Sequence, residues 1–321
     1  MKTHQCQICR NTVHNCCWQF REHMFNTGEK FDYFQCGSCQ TLQIITPPDN
    51  LGEYYPPAYY QSRFSMSSKL RSYLRQKRDL YSYGNRSILG ALLTHYSSVN
   101  YNVAAFRWLE QLQPLFPTSW ILDVGCGNGN FLSFLEILGY QHLYGLDPFL
   151  PASRLIGRRN NIVLLKEPLE KITLKFDLIV LNHSLEHMSS PQLAFTCLTR
   201  MLNPGGHILL RLPLVNFAWE KYRENWVQLD APRHLFIPSR RGIELLCSQH
   251  GLTIQAVMFD SSAFQFIGSE KYQRSLALAE PLPNTGKTVA DYQREAIQLN
   301  VEERGDQACF LLAISPATDS M

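Results

Sequence analysis

The run Ile121-Leu122-Asp123-Val124-Gly125-Cys126-Gly127-Asn128-Gly129-Asn130-Phe131 constrains this chain more than any other, because an apolar strand passes through three alternate glycines straight into a helix. Glycine enters backbone conformations that a Cβ forbids and lets a ligand approach the main chain closely, with the ligand at the C-terminal edge of the strand. A dinucleotide fingerprint needs glycine at the sixth position counted from Gly125, and that position is Asn130. Asp123, two residues before the first glycine, would repel a pyrophosphate and suits a ligand bearing an ammonium group. NAD is therefore disfavoured. Asp147, 18 residues beyond Gly129, ends the next strand, where a carboxylate can take both hydroxyls of a ribose. A glycine turn plus a surface aspartate is the plainer alternative, but two anchors at consecutive strand ends point to nucleoside binding.

The chain around this motif alternates strands and helices, the pattern of an α/β domain with a parallel sheet. Expected strands are 120–124, 143–147, 162–166, 176–182 and 207–212; expected helices are 128–138, a short one at 152–159, and 191–202. Beyond them come an aromatic-rich insertion at 214–237, a helix at 239–250, a strand at 253–259, a helical excursion at 261–307 and a last strand at 309–314. That last strand, arriving late, is expected to pair antiparallel with its predecessor. With 321 residues the chain exceeds one compact core. The organisation read here is a small domain at 1–45, a linker with a helical segment at 46–100, and the main domain at 101–321. Leu70, Tyr73, Leu74 and Leu80 recur at helical spacing among Lys69, Arg71, Arg75, Lys77 and Arg78, giving a basic amphipathic helix over 67–96. Its cations are read as a solvated face, with anionic lipid or a diphosphate as the alternative.

Six of the ten cysteines lie in the first 39 residues, which suggests metal before disulfides. Cys6-Gln7-Ile8-Cys9 and Cys36-Gly37-Ser38-Cys39 are two Cys-x-x-Cys pairs 26 residues apart; each turn converges two thiolates, and together they complete a tetrahedron for zinc. Cys16, Cys17 and His14 are second choices as ligands. Four thiolates leave no open position, so the metal is expected to be structural. A segment this short needs such a clip to order itself.

Leu122-Asp-Val-Gly-Cys-Gly-Asn-Gly129, Gly145-Leu-Asp147, Phe176-Asp-Leu-Ile-Val180, Leu185-Glu-His-Met188 and Leu202-Asn-Pro-Gly-Gly206 occur in an order that resembles the class I S-adenosylmethionine-dependent methyltransferases. The resemblance covers roughly 101–259. It implies a Rossmann-like sheet, mostly parallel with an antiparallel last strand. It also implies S-adenosylmethionine as cofactor: Asp123 and the loop Gly125, Cys126, Gly127 and Gly129 on the methionine portion, Asp147 on the ribose, Pro168 and Leu169 near the adenine, and Asn182 near the sulfonium. The paired cysteines followed by Tyr-Tyr-Pro-Pro-Ala-Tyr-Tyr (54–60) are similar to a bacterial subgroup of zinc-headed methyltransferases associated with sugar and polysaccharide modification.

Methyl transfer needs an oriented acceptor and, for some acceptors, a base. Candidates are His183, Glu186 and His187 after the fourth strand, and Asp230, Arg233 and His234 in Leu229-Asp-Ala-Pro-Arg-His-Leu-Phe236. His234 is the first choice for the base, with Asp230 or Arg233 orienting substrate or imidazole; a structural hydrogen-bonding role for His234 stands beside it. For His187 a packing or capping role at a helix start is favoured. Trp219, Tyr222 and Trp226 are expected to offer stacking surface or to cover the site. Gln265, Ser269, Glu270 and Tyr272, with Leu299-Asn300 and Gly305-Asp306 before the last strand, are suspected of lining the acceptor wall.

The leading reading is transfer to a small polar acceptor, a sugar, nucleotide-sugar or glycan. A second is an RNA or protein methyltransferase gripping its macromolecule with the zinc knuckle; a formal charge of +3 and the lack of a basic-aromatic stripe count against obligatory nucleic acid. A non-enzymatic scaffold is the third. The polar N-terminus and the absence of a long apolar run lead to the expectation of a cytoplasmic protein with at most peripheral membrane contact.

Overall fold

The structure, a computed structural model, describes residues 4–25, 27–55, 68–84, 86–96, 101–281 and 284–316. The Tyr-Pro-rich linker from residue 56 to 67 lies outside them. The strands are β1 (Cys16–Arg21), β2 (Lys30–Gln35), β3 (Leu42–Ile44), β4 (Trp120–Val124), β5 (His142–Leu146), β6 (Arg154–Ile156), β7 (Ile162–Leu165), β8 (Phe176–Asn182), β9 (Leu202–Pro213), β10 (Phe236–Ile237), β11 (Leu252–Phe259) and β12 (Gln307–Ile314). The helices are α1 (Ser68–Tyr83), α2 (Ile88–Tyr96), α3 (Tyr101–Leu112), α4 (Asn130–Leu138), α5 (Pro191–Met201), α6 (Phe217–Tyr222), α7 (Arg240–Gln249), α8 (Phe264–Gln273) and α9 (Val289–Val301). Among the described residues no helix is long and apolar enough to cross a membrane.

Two compact units divide the chain: Pro56–Asn182 with Met201–Leu209, and Met1–Tyr55 with His183–Arg200 and Leu210–Met321. The first is a Rossmann-like α/β unit with strand order β9-β8-β4-β5-β7-β6. Strand β4 runs parallel to β5 and β8, and β5 parallel to β7. Ile121, Leu122, Leu143, Leu164, Leu178 and Ile179 are buried, as the near-continuous apolar runs of a sheet covered on both faces require. The chain moves outward from β4 to β5 and β7, then returns to β8 on the other side of β4. A ligand crevice opens beyond the carboxyl ends of strands at such a reversal, here where β4 meets Gly125 and β8 ends in Asn182.

Two expectations in this unit are corrected. The short helix at 152–159 is the edge strand β6, antiparallel to β7 and ended by Gly157 at φ 93°. Ala152, Leu155 and Ile156 are its only apolar side chains, too few to cover a helix-wide face, whereas Ser153 Oγ accepts the Lys166 N–H and starts a strand pair. The single basic helix over 67–96 is two helices, because Gly84 adopts φ 118° after α1 and no right-handed helix continues through that conformation. Leu70 and Tyr73 of α1 are about half exposed, while Arg78 is largely buried against Asp79, so the apolar stripe does not mark the covered face.

In the second unit the strand order β11-β12-β9 places β12 antiparallel to β11, as expected, but inside the sheet, with β11 at the edge. The N-terminal segment carries more regular structure than its sequence suggested: β1, β2 and β3 form an antiparallel sheet that β10 extends. Strand β2 alternates exposed and buried residues, so Phe31 and Tyr33 face inward with Phe20. They meet Trp219, Tyr222 and Trp226, each no more than 2% exposed, in one apolar cluster. The insertion aromatics are thus core, corrected from the stacking surface expected of them, because large rings are the only residues here able to fill the space over a small antiparallel sheet.

Gly145 of β5 has a packing role that can be tested. A Cβ there would stand 2.6 Å from both Cys126 Sγ and Leu164 Cδ2, and both neighbours are buried. Gly145→Ala is expected to cost about 1–3 kcal/mol, read as a lowered urea midpoint.

Candidate functional site

The glycine turn is built by conformation. Gly125, Gly127 and Gly129 have φ of 81°, 53° and 74°, the left-handed region open mainly to glycine. The reasons for the second and third differ. Nothing lies within 4 Å of where a Cβ on Gly127 would stand, whereas one on Gly129 would meet Ile156 Cδ1 at 2.7 Å. The open flank at Gly127 is a cradle for a ligand against bare backbone, and Gly129 leads into α4 without a side-chain cap, leaving helix N–H groups available.

Asp147, just after β5, locks this turn. Its Oδ2 accepts the Gly127 N–H at 2.9 Å and its Oδ1 accepts the Phe149 N–H at 2.8 Å. Each carboxylate oxygen keeps a second lone pair for a hydroxyl. Asp123, at the end of β4, is 6% exposed, and no hydrogen-bond donor reaches its carboxylate among the described residues. Burial, and then the charge of Asp147, push its carboxyl up to about 7. Such a group gains from a cationic partner. Cys126 is buried, its thiol pushed up chiefly by burial. Leu169 opens a short 3-10 turn and is half-buried, and Asn182 is the last residue of β8. The bare turn, the buried acid and the Asp147 carboxylate with its remaining lone pairs together fit an aminoacyl nucleoside such as S-adenosylmethionine.

Cys6, Cys9, Cys36 and Cys39 converge, with their four Sγ atoms all within 4.8 Å of one another. The Cys6–Cys39 and Cys9–Cys36 sulfur separations are 3.6 and 3.4 Å, near the ~3.8 Å expected for thiolates bound about 2.3 Å from one tetrahedral ion. The Cys9 N–H points at Cys6 Sγ and the Cys39 N–H at Cys36 Sγ, and Gln43 Nε2 donates to Cys6 Sγ at 3.1 Å. Gly37 is required because a Cβ would fall 2.4 Å from the His14 carbonyl oxygen. Cys16 and Cys17, the second choices, are exposed on β1, and the cluster of four cysteines does not include His14, which lies beside Gly37.

The catalytic candidates gather in the same unit as the cysteines. Arg233 is fully buried, its Nε 2.9 Å from Asp230 Oδ2 and its Nη2 on Asp230 Oδ1 and, at 3.0 Å, on Glu22 Oε1. Burial opposes the charge of Asp230, but Arg233 and His234 hold its carboxyl below the ordinary range. His234 is 5% exposed, its Nδ1 2.7 Å from the Gln228 carbonyl; burial and then His187 push the imidazole down to about 4, so it is neutral. His187 ends a 3-10 turn, Leu185–His187, and does not start a helix; its Nδ1 lies 2.9 Å from the Arg233 carbonyl and 2.9 Å from the Tyr55 hydroxyl. Glu186 is wholly buried and its Oε1 meets His183 Nδ1 at 3.0 Å. Burial disfavours its charge, yet His183, His187 and His234 outweigh this and bring the carboxyl down to about 2.

Glu22 was missed by sequence reasoning, since a single acid among the aromatic residues after β1 carries no local signal. The suspected wall residues serve the core: Glu270 accepts from the Tyr222 hydroxyl, Ser269 Oγ from the Val227 N–H, and Asp306 from Trp226 Nε1. Gln265 is 1% exposed, and neither polar atom of its amide finds a partner among the described residues.

Residues 99–257 match a family described as "Methyltransferase domain". A tRNA U34 carboxymethyltransferase of Ruthia magnifica subsp. Calyptogena magnifica is 23% identical over 211 residues, covering 60% of this chain and 62% of that relative, so the match spans less than two-thirds of the relative's length. Among solved structures, a geranyl diphosphate methyltransferase in complex with SAM is similar at 16% identity and a TM-score of 0.45, covering 74% of this chain and 94% of that one. An O-methyltransferase from a trans-AT PKS multienzyme of Brevibacillus brevis, in complex with S-adenosyl-L-homocysteine, is 16% identical at a TM-score of 0.40, covering 80% and 82%.

Removing the Arg233 charge would leave Asp230 and Glu22 buried without their cation. Arg233→Met is expected to destabilise the protein by about 3–5 kcal/mol, measured by chemical denaturation. Chelation, or Cys36→Ser, is expected to disorder residues 4–45 while the glycine turn keeps its amide protection, as hydrogen exchange would report.

Proposed function

We propose that this chain, whose residues 99–257 match a family described as "Methyltransferase domain", transfers the methyl group of S-adenosylmethionine to a small polar acceptor, a sugar, nucleotide-sugar or glycan. The observation that carries the cofactor half is the left-handed glycine turn pinned by Asp147 beside the buried, unpartnered Asp123. When bound, the cofactor supplies a methyl group on a positively charged sulfur. Asp123 and the loop Gly125 to Gly129 receive the amino-acid portion, Asp147 the ribose hydroxyls, Leu169 flanks the base, and Asn182 stands at the reacting end.

The acceptor half rests on His183, Glu186, His187, Asp230, Arg233 and His234. The chain passes directly from Asn182 to His183. Glu186 fixes the Nδ1 proton of His183 and leaves its Nε2 lone pair free, a carboxylate–imidazole arrangement suited to taking a proton from an acceptor hydroxyl. This favours His183 over His234 as the proton acceptor, because the buried, strongly depressed His234 imidazole is the weaker base. Asp230 and Arg233 hold the loop that carries His234. Zinc in the four-cysteine cluster serves as a structural clip, and the site of action is the cytoplasm.

An RNA acceptor is the second reading, favoured by the name of the 23% identical relative, which acts on tRNA. Labelled methyl transfer decides between them: counts are expected in nucleotide-sugars and absent from total RNA, and the reverse result would reject the carbohydrate reading. Calorimetry with S-adenosylmethionine should show binding that Asp147→Ala reduces at least tenfold; no binding by the wild type would remove both.

The elevated carboxyl of Asp123 gives a pH dependence. An ammonium partner favours the ionised form, so below pH about 7 binding must first release the Asp123 proton, and affinity falls about tenfold per pH unit. Above that pH it is flat. Calorimetry from pH 5.5 to 8 should show this slope, and Asp123→Asn should remove it.

A further inference from the structure

We propose that Glu186, His187 and His234 form a binding site for a divalent first-row transition ion, separate from the four-cysteine cluster. One ligand atom from each of the three residues lies within 4.8 Å of the other two. His234 Nε2 stands 4.0 Å from Glu186 Oε1, within the span of two atoms each bonded at about 2.1 Å to one ion.

The hydrogen bonds around the histidines fix their tautomers. A backbone carbonyl only accepts, so the Gln228 carbonyl beside His234 Nδ1 and the Arg233 carbonyl beside His187 Nδ1 assign the proton to Nδ1 in both rings, with the Tyr55 hydroxyl oxygen a second acceptor at His187 Nδ1. Each Nε2 then carries a lone pair. Imidazoles that bind metals are held in this way, with the second ring nitrogen donating to a carbonyl or carboxylate that sets the orientation of the first.

Glu186 supplies an independent observation. The residue is wholly buried, and while Oε1 accepts from His183, Oε2 has no hydrogen-bond partner among the described residues. A buried carboxylate oxygen without a donor is unfavourable unless a cation compensates it. Among the described residues Arg233 is the guanidinium bonded within this network, and it is committed to Asp230 and Glu22. Among the described residues the side chains that reach the Glu186 carboxylate are imidazoles, and a divalent ion would give Oε2 the partner it lacks.

Two imidazoles and one carboxylate select zinc, iron(II), cobalt(II) or manganese over calcium or magnesium, which prefer oxygen throughout. Three protein ligands leave coordination positions open. The use of those positions rests on the methyl-transfer reading: an acceptor hydroxyl bound there would be oriented and acidified, with His183 still free to take its proton. In this arrangement His187 and His234 are ligands. The existence of the site does not depend on that reading.

The full chain should be loaded with Zn2+, dialysed against metal-free buffer and assayed for bound metal. The wild type is expected to retain two ions, Glu186→Gln and His234→Gln one each, and Cys36→Ser one. Cobalt(II) titration should resolve thiolate charge-transfer bands, lost in Cys36→Ser, from weaker visible bands lost in Glu186→Gln. As a check that needs no variant, the ring 15N signals of His187 and His234 in the wild type should shift on adding Zn2+. Unmoved ring signals, or a metal content unchanged by Glu186→Gln and His234→Gln, would overturn the site. Calorimetry with S-adenosylmethionine on the same samples reports separately on the cofactor reading.

Discussion

Arg233 is the interaction on which the N-terminal unit depends. A guanidinium with no solvent exposure is tolerated only when its donors are spent, and here Asp230, Glu22 and the Tyr54 carbonyl take them. These partners come from the segment after β1, the end of the N-terminal segment, and the loop before β10. One side chain thus ties the cysteine-rich segment to the loop that presents His234. The aromatic cluster of Phe20, Tyr33, Trp219 and Trp226 excludes water around the same connection, which strengthens each charged hydrogen bond within it.

The Rossmann-like unit rests on a different device. Asp147 holds the Gly127 N–H, so the turn after β4 and the end of β5 are one rigid edge. Rigidity there matters because a ligand bound by backbone contacts gains little if the backbone must first be ordered. Asp123 sits beneath this edge with its charge disfavoured by burial, a local instability that a cationic ligand would relieve. Packing demands and ligand demands are separated along the motif: Gly129 and Gly145 answer to crowding by buried side chains, Gly127 to the open side.

The histidine cluster follows a third logic. His183 holds the buried Glu186 carboxylate through Nδ1, while His187 and His234 turn their protonated nitrogens away to carbonyls. The lone pairs that remain are good for protons or for metal, and those uses exclude one another at a given nitrogen. His183, half-exposed and tied to Glu186 through Nδ1, keeps the proton-accepting option, while His187 and His234 offer the coordinating one.

The sequence by itself determined what short-range chemistry controls. The strand, glycine turn and helix at 120–138 follow from left-handed positions that glycine fills, and strands such as 176–182 from continuous apolar runs. The two Cys-x-x-Cys knuckles follow from their two-residue spacing, and their convergence into one cluster agrees with it. Only the tertiary structure decided the rest. Residues 154–156 became an edge strand because β7 offered a free side, Trp219 and Trp226 became core because the N-terminal sheet lay over them, and Glu22 met Arg233 across more than two hundred residues. Each of these depends on a partner remote in the chain, and burial and pairing energies that arise only on folding leave no mark in the local pattern of residues.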